Sequence, residues 1–294
     1  MADAGEEFER RAALALWLSD KRNVLTWRSI VNRVWSYHFG RGLCDTPNDF
    51  GKMGGTPSHP ELLDWLAVWF RDEAQGSIKK LQWLIVTSET WKQTTLANQG
   101  ANSDSENRLL WRQNRPRLTG EEVRDTLLAL SGRIDLTMGG PPAVQFIDHG
   151  DATFNSGGNP AFLDYEHFDP DSPAARRRAI YRFLFRTVPD PFMAALDCPD
   201  GGAPTPVRSV STTALQAFAM LNDPFVIRQC EHIATRLSAA SDTPEAQAEA
   251  AFQHVLLRRA HDQERARFAA YIERHGLANA VQLLLNSNEF LHLD

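Results

Sequence analysis

The sequence predicts a mostly α protein: a multi-helix array with a small β ribbon in the middle and long Gly/Pro-rich loops. Apolar residues recur at three- and four-residue steps through both ends of the chain, and helix-capping patterns stand where those stripes begin. A single stretch, 179–188, alternates with the period of two that marks a strand.

The first helix is expected over Phe8–Leu18, and a second over Thr26–Phe39, where Ile30, Val34 and Tyr37 share a face until Gly40 and Gly42 stop it. Ser58-His59-Pro60-Glu61 reads as a capping box ahead of the amphipathic stripe Leu62, Trp65, Leu66, Trp69, Phe70. Ser77 caps a helix carrying Leu81, Leu84 and Ile85, and Thr119-Gly120-Glu121-Glu122 opens another that Gly132 ends. Glycine, proline, asparagine and aspartate dominate 138–173, as in a long functional loop. In the alternating stretch Tyr181, Phe183 and Phe185 face one way, Arg182 and Arg186 the other, with 143–147 as the expected partner strand. A second Pro/Gly-rich stretch, 189–206, precedes helices over 212–221, 224–237 and 244–258 and two more segments ending near Phe290. Proline at 224 and 244 fits a first helical turn. The chain reads as one domain over 1–294, with a helical part at 6–132, loop and ribbon at 138–206 and a C-terminal helical part at 211–294.

A net charge of −6 argues against a protein that grips nucleic acid through a basic face. Cys44, Cys198 and Cys230 form no Cys-x-x-Cys pair, which removes thiol redox motifs, zinc ribbons and c-type haem attachment within this chain. No apolar run is long enough for a membrane span, and Met1–Arg11 is acidic and polar where a signal peptide would be basic and then apolar.

Three places gather chemistry-bearing side chains. The first lies between the second and third helices, where Arg33, His38, Asp49, His59 and Asp64 crowd a segment rich in glycine and proline; Arg33, His38, His59 and Asp64 are candidate ligand-binding residues. Asp49-Phe50-Gly51 spells a kinase-like metal motif without the other kinase loops, and 51–56 lacks the order of a phosphate-binding loop. The second is the oxygen-rich set Asp148, His149, Asp151, Glu166, His167, Asp169 and Asp171, whose ligand type suits calcium but whose spacing is not that of an EF-hand. The third is Asp197-Cys198-Pro199-Asp200 with Arg208 ahead of 209–213. Paired carboxylates and a guanidinium at a helix entrance suit sugar hydroxyls, an anion or glycoside hydrolysis. Asp49, Arg124, Asp197, Asp200 and Arg208 are the candidate catalytic set. Of the eight tryptophans, Trp65, Trp69 and Trp83 fall on apolar stripes and are expected in the core, whereas Trp91 and Trp111 stand in polar surroundings as open candidates for stacking on sugars.

The runs Asn32-Arg33-Val34-Trp35, Phe39-Gly40-Arg41-Gly42-Leu43, Thr46-Pro47-Asn48-Asp49-Phe50-Gly51 and His59-Pro60-Glu61-Leu62-Leu63-Asp64-Trp65-Leu66 carry a family resemblance. Met138-Gly139-Gly140-Pro141, Ser211-Thr212-Thr213 and Leu285-Asn286-Ser287-Asn288-Glu289-Phe290-Leu291 extend it nearly end to end. The chain resembles the domain of unknown function 1553 (PSD-one) family of planctomycetes and related bacteria, whose activity is not established. Its members usually form the C-terminal part of exported proteins that also carry a cytochrome-like module and a companion domain of unknown function, sometimes with a carbohydrate-binding-like module. The resemblance thus implies an extracytoplasmic fragment or stand-alone version, with signal peptide and haem module elsewhere. Many relatives place a cysteine and proline before an arginine pair near Arg208, where this chain reads Thr205-Pro206-Val207-Arg208, and Ala214 stands where proline is common.

Two functions of different class follow. One is an enzyme component, carbohydrate-directed or coupled to haem redox chemistry, with the candidate catalytic set around one pocket and a polysaccharide as possible partner. The other is a non-catalytic docking or ligand-binding module. An enzyme needs polar groups gathered at a concavity; a docking module shows dispersed charges and exposed apolar surface.

Overall fold

A computed structural model of the chain describes residues 4–96, 104–149, 163–240 and 242–293. Among these residues stand twelve α-helices and one two-stranded antiparallel ribbon, which makes the protein mostly α. The chain divides between Pro116 and Arg117 into two compact units.

The first unit holds α1 (Ala4–Ser19), α2 (Val24–Phe39), α3 (Pro60–Asp72) and α4 (Ile78–Val86). Its core is built from Val31, Val34, Trp35 and Phe39 of α2, Leu63, Leu66 and Phe70 of α3, and Leu81 and Ile85 of α4, each recurring at helical spacing. Burying a side chain of this kind contributes about 1.5–3 kcal/mol. Ser77 caps α4 as expected, accepting from Lys80 N at 3.4 Å. The capping box expected at Ser58 does not form: His59 is the N-cap of α3 and makes no side-chain cap bond, while Pro60 takes the first turn. Ser58 is drawn away because its N–H donates to Leu43 O at 2.8 Å, tying the exit of the 40–58 loop to its entry. The helix expected over 8–18 is present as α1, but its apolar stripe is not a core face. No side chain from Glu6 to Ser19 is buried, and Phe8, Leu14, Leu16, Trp17 and Leu18 stay 46–73% exposed.

In the second unit α5 (Gly120–Ser131) starts on the Thr119–Glu122 capping box and ends at Gly132, whose φ of 74° is left-handed and so suits a residue without Cβ. It is followed by α6 (Pro191–Ala195), α7 (Ala214–Asn222), α8 (Pro224–Ser238), α9 (Pro244–Val255), α10 (Asp262–His275), α11 (Leu277–Leu285) and α12 (Asn288–Leu291). α6, α8 and α9 start alike, with Asp190, Asp223 or Thr243 as N-cap and proline next. α8 is central, packing on α5, α7, α9 and α11 through Val226, Cys230, Ile233 and Leu237. Leu118 N donates to Leu291 O at 2.8 Å, joining the start of this unit to its end.

The ribbon pairs β1 (Ile147–Asp148) with β2 (Leu163–Asp164), Ile147 opposite Asp164. The strand expected over 179–188 is absent: 179–181 is a 3-10 turn, and an isolated bridge joins Ala143 to Arg182. Side chains of this extended segment still alternate, because Phe183 and Phe185 join Phe146 and Tyr165 in an aromatic cluster while Arg182 turns inward. Packing set the pattern there without a ladder.

Candidate functional site

The 40–58 loop is held by buried polar bonds. Asn32, fully buried on α2, accepts from Cys44 N at 2.8 Å and donates to Cys44 O at 2.9 Å, matching the loop's peptide with its own amide. Thr46 Oγ1 donates to Asp49 O at 2.7 Å and accepts from Gly55 N at 2.8 Å. A Cβ on Gly54 would lie 2.1 Å from Asp49 O, so this turn closes on glycine alone. Asp49 is exposed and spends Oδ1 on Gly51 N at 2.8 Å.

The ligand-binding candidates are spread around this loop. Arg33 donates to Asn48 Oδ1 at 2.8 Å. His38 donates from Nδ1 to Val34 O at 2.8 Å and meets the Trp91 ring edge-on. His59 Nδ1 pairs with Ser58 Oγ at 3.0 Å. Asp64 faces α2 and pairs with Arg28. A cleft of about 30 Å³, room for about one water, is lined by Trp35, Leu43, Arg41, Asp45, Arg108 and Asn114 among others. Arg41 holds Asp45 at 2.6 and 2.8 Å and Arg108 holds it at 2.6 Å, which keeps the Asp45 carboxyl below its ordinary range.

In the second unit Asp197 and Arg208 take different partners. The Asp197 carboxylate accepts from Ser211 N at 2.7 Å, Ser211 Oγ at 2.8 Å and Gln216 Nε2 at 2.9 Å. Burial works against its ionisation, yet these donors hold Asp197 below the usual carboxylate range. Asp197 sits at φ 61°, and its carboxylate ties that strained turn to the start of α7. Arg208 forks onto Glu121 at 2.6 and 2.8 Å, and against the opposing effect of burial brings that carboxyl to about 2. Cys198 shares the same Glu121, 3.2 Å away, and burial pushes its thiol up to about 12. Asp200 accepts from Gly202 N at 2.7 Å in an exposed turn.

Arg124 is the deepest of the candidates. Its guanidinium, buried on α5, donates to Arg177 O at 2.8 Å and Ala175 O at 2.6 Å and lies 4.9 Å over the Phe225 ring. Burial and the nearby Arg182 bring it down to about 10. Beside it stands a group that sequence reasoning missed: buried Arg182 binds Gln145 Oε1 at 2.8 Å and pairs with Asp190, while Asp223 is pushed up to about 6 by burial. The Asp-Pro pairs at 190–191 and 223–224 were the available signal, though they announce helix starts and not the arginines packed over them. Arg124 thus lies in a charged core that orders residues 174–182.

In the oxygen-rich region Asp164 receives His149 Nε2 at 3.2 Å and His167 Nδ1 at 2.9 Å, and Asp171 is clasped by Arg133, Arg228 and His232. Asp151 lies outside the described residues. Among the described residues no group of three or more His, Cys, Asp or Glu side chains could hold a metal ion, and no helix is long and apolar enough to cross a membrane. The tryptophans reverse the expectation. Trp65 and Trp83 are 53% and 71% exposed, whereas Trp91 packs on Phe39 and Trp111 donates to Asp104 O at 2.8 Å, both half-buried.

No curated protein and no solved structure matches the chain. A family model does: that of PSD1, protein of unknown function (DUF1553), over residues 10–272. With those residues matched, the chain belongs to the PSD1 (DUF1553) family.

Proposed function

We propose that the chain is a non-catalytic docking module whose α1 seats a companion domain. The observation that carries this reading is α1 itself. A 16-residue helix is marginal in water unless one face is covered, yet Leu14, Trp17 and Leu18, neighbours at steps of three and four, stay exposed along it. The candidate catalytic side chains also speak for docking over the carbohydrate-directed or haem-coupled enzyme: Asp49, Arg124, Asp197, Asp200 and Arg208 each make a bond internal to the fold. The companion domain and cytochrome-like module that accompany this family supply the class of partner, and an extracytoplasmic setting goes with them. The test is co-expression with such a companion domain, followed by size-exclusion chromatography. A complex that the triple change of Leu14, Trp17 and Leu18 to serine dissolves supports the reading, and a complex indifferent to that change refutes it.

A further inference from the structure

Independently of α1, we propose that the outer face of α3 is a binding strip for a neutral, extended polysaccharide, with Trp65 and Trp69 as the platform. The two indoles are one helical turn apart, their centroids 6.4 Å from each other and their planes within 23°, so they present neighbouring faces with nearly one orientation. Trp65 is half exposed and Trp69 is anchored against the core of its unit, which gives the platform one free ring and one rigid ring.

What frames the rings favours a sugar. At one end Arg28 of α2 pairs with Asp64, and at the other Arg71 binds Asp72 at 2.8 Å and is itself fixed by donating to Lys21 O at 2.9 Å. From Asp64 to Asp72 the helix rises about 12 Å, long enough to lie along more than one ring of a β-linked chain. The apolar C–H face of a pyranose stacks on indole, and its hydroxyls suit planar guanidinium and carboxylate groups that both donate and accept. The two arginine–aspartate pairs balance in charge. A sulfated or uronic chain would meet Asp64 and Asp72 as like charges, so a neutral glycan is the fitting ligand. Neither pair is buried, since all four side chains keep 23–49% of their surface open to solvent. They can therefore turn toward a ligand without leaving an orphaned charge inside the protein.

The test is isothermal titration of the full chain with cellohexaose, mannohexaose and chitohexaose, comparing the unaltered protein with Trp65→Ala, Trp65→Phe and Trp83→Ala. Trp83 is the control, an exposed tryptophan of α4 outside the strip. The proposal expects binding of at least one hexasaccharide, weakened roughly tenfold or more by Trp65→Ala, largely kept by Trp65→Phe and unchanged by Trp83→Ala. Circular dichroism and the melting temperature check that Trp65→Ala is folded, and Trp65→Phe keeps the comparison valid if it is not. Failure of all three sugars to bind, or binding indifferent to both Trp65 changes, overturns the proposal. So does a Trp65→Ala protein that loses a protein partner while keeping its sugar, because Trp and Arg also anchor protein interfaces.

Discussion

Replacing Asn32 by alanine removes the amide that completes the Cys44 peptide. Cys44 N–H and C=O are both bonded to that side chain inside a core where Asn32 is fully buried and Cys44 is 1% exposed. Each backbone group orphaned there costs about 1–3 kcal/mol. Some relief comes where the shortened side chain lets a water reach one group, so the expected loss is about 3 kcal/mol. With a urea m-value of about 2 kcal/mol/M, the unfolding midpoint moves down by about 1.5 M. All eight tryptophans fall between Trp17 and Trp111, in the first unit, so indole fluorescence follows that unit by itself. Asn32→Asp is the companion change: a carboxylate still accepts from Cys44 N but turns a negative oxygen toward Cys44 O, and it should cost at least as much. A midpoint shift for Asn32→Ala below about 0.3 M would refute the claim that this amide clamps the loop.

Other expectations concern the second unit. Asp223 has a folded pKa of about 6, above the 3.8 of the free group, because burial disfavours its charge. The folded state therefore holds the proton more tightly, and stability falls as pH rises from about 4 through 6. Asp223→Asn keeps an acceptor for Phe225 N and removes the charge, so it should raise thermal stability at pH 7 and lose that advantage near pH 4. Glu121 and Asp171 are shifted the other way, each to about 2, so their stabilisation is present above pH 4 or so and lost as pH falls toward 2; circular dichroism during acid titration reads this. Gly120→Ala sets a Cβ 2.7 Å from Cys198 Sγ and 2.9 Å from Leu196 Cβ, a crowding expected to cost about 1–3 kcal/mol by urea unfolding. Burial pushes the thiols of Cys198 and Cys230 up to about 12, so at pH 8 both should resist alkylation until the protein is unfolded.

Helix starts were legible because their signals are local. Thr119 and Glu122, Ser77, and the prolines after Asp223 and Thr243 all act within a turn of where they stand. Ser58 failed as a cap because a contact 15 residues away, to Leu43, outbid the local pattern. Which face of a helix is covered is a tertiary property, and there the apolar stripe misleads: Trp65 and Trp83 sit on stripes yet reach solvent, while Trp91 in a polar run packs on His38 and Phe39. The family-bearing motif around 32–51 was visible as a motif. Its pairings were not, because Asn32 with Cys44 and Asp45 with Arg108 join residues 12 and 63 positions apart. The same holds for Arg208, whose partner Glu121 lies 87 residues away on α5.

The central claim, that α1 docks a companion domain, is tested most directly by titrating the chain with that domain and then repeating the titration after changing Leu14, Trp17 and Leu18 to serine. The account predicts saturable binding that these changes weaken by roughly a hundredfold, since large apolar anchors carry most of the energy of an interface. Equal affinity before and after them, or no binding by the unaltered chain, would contradict it.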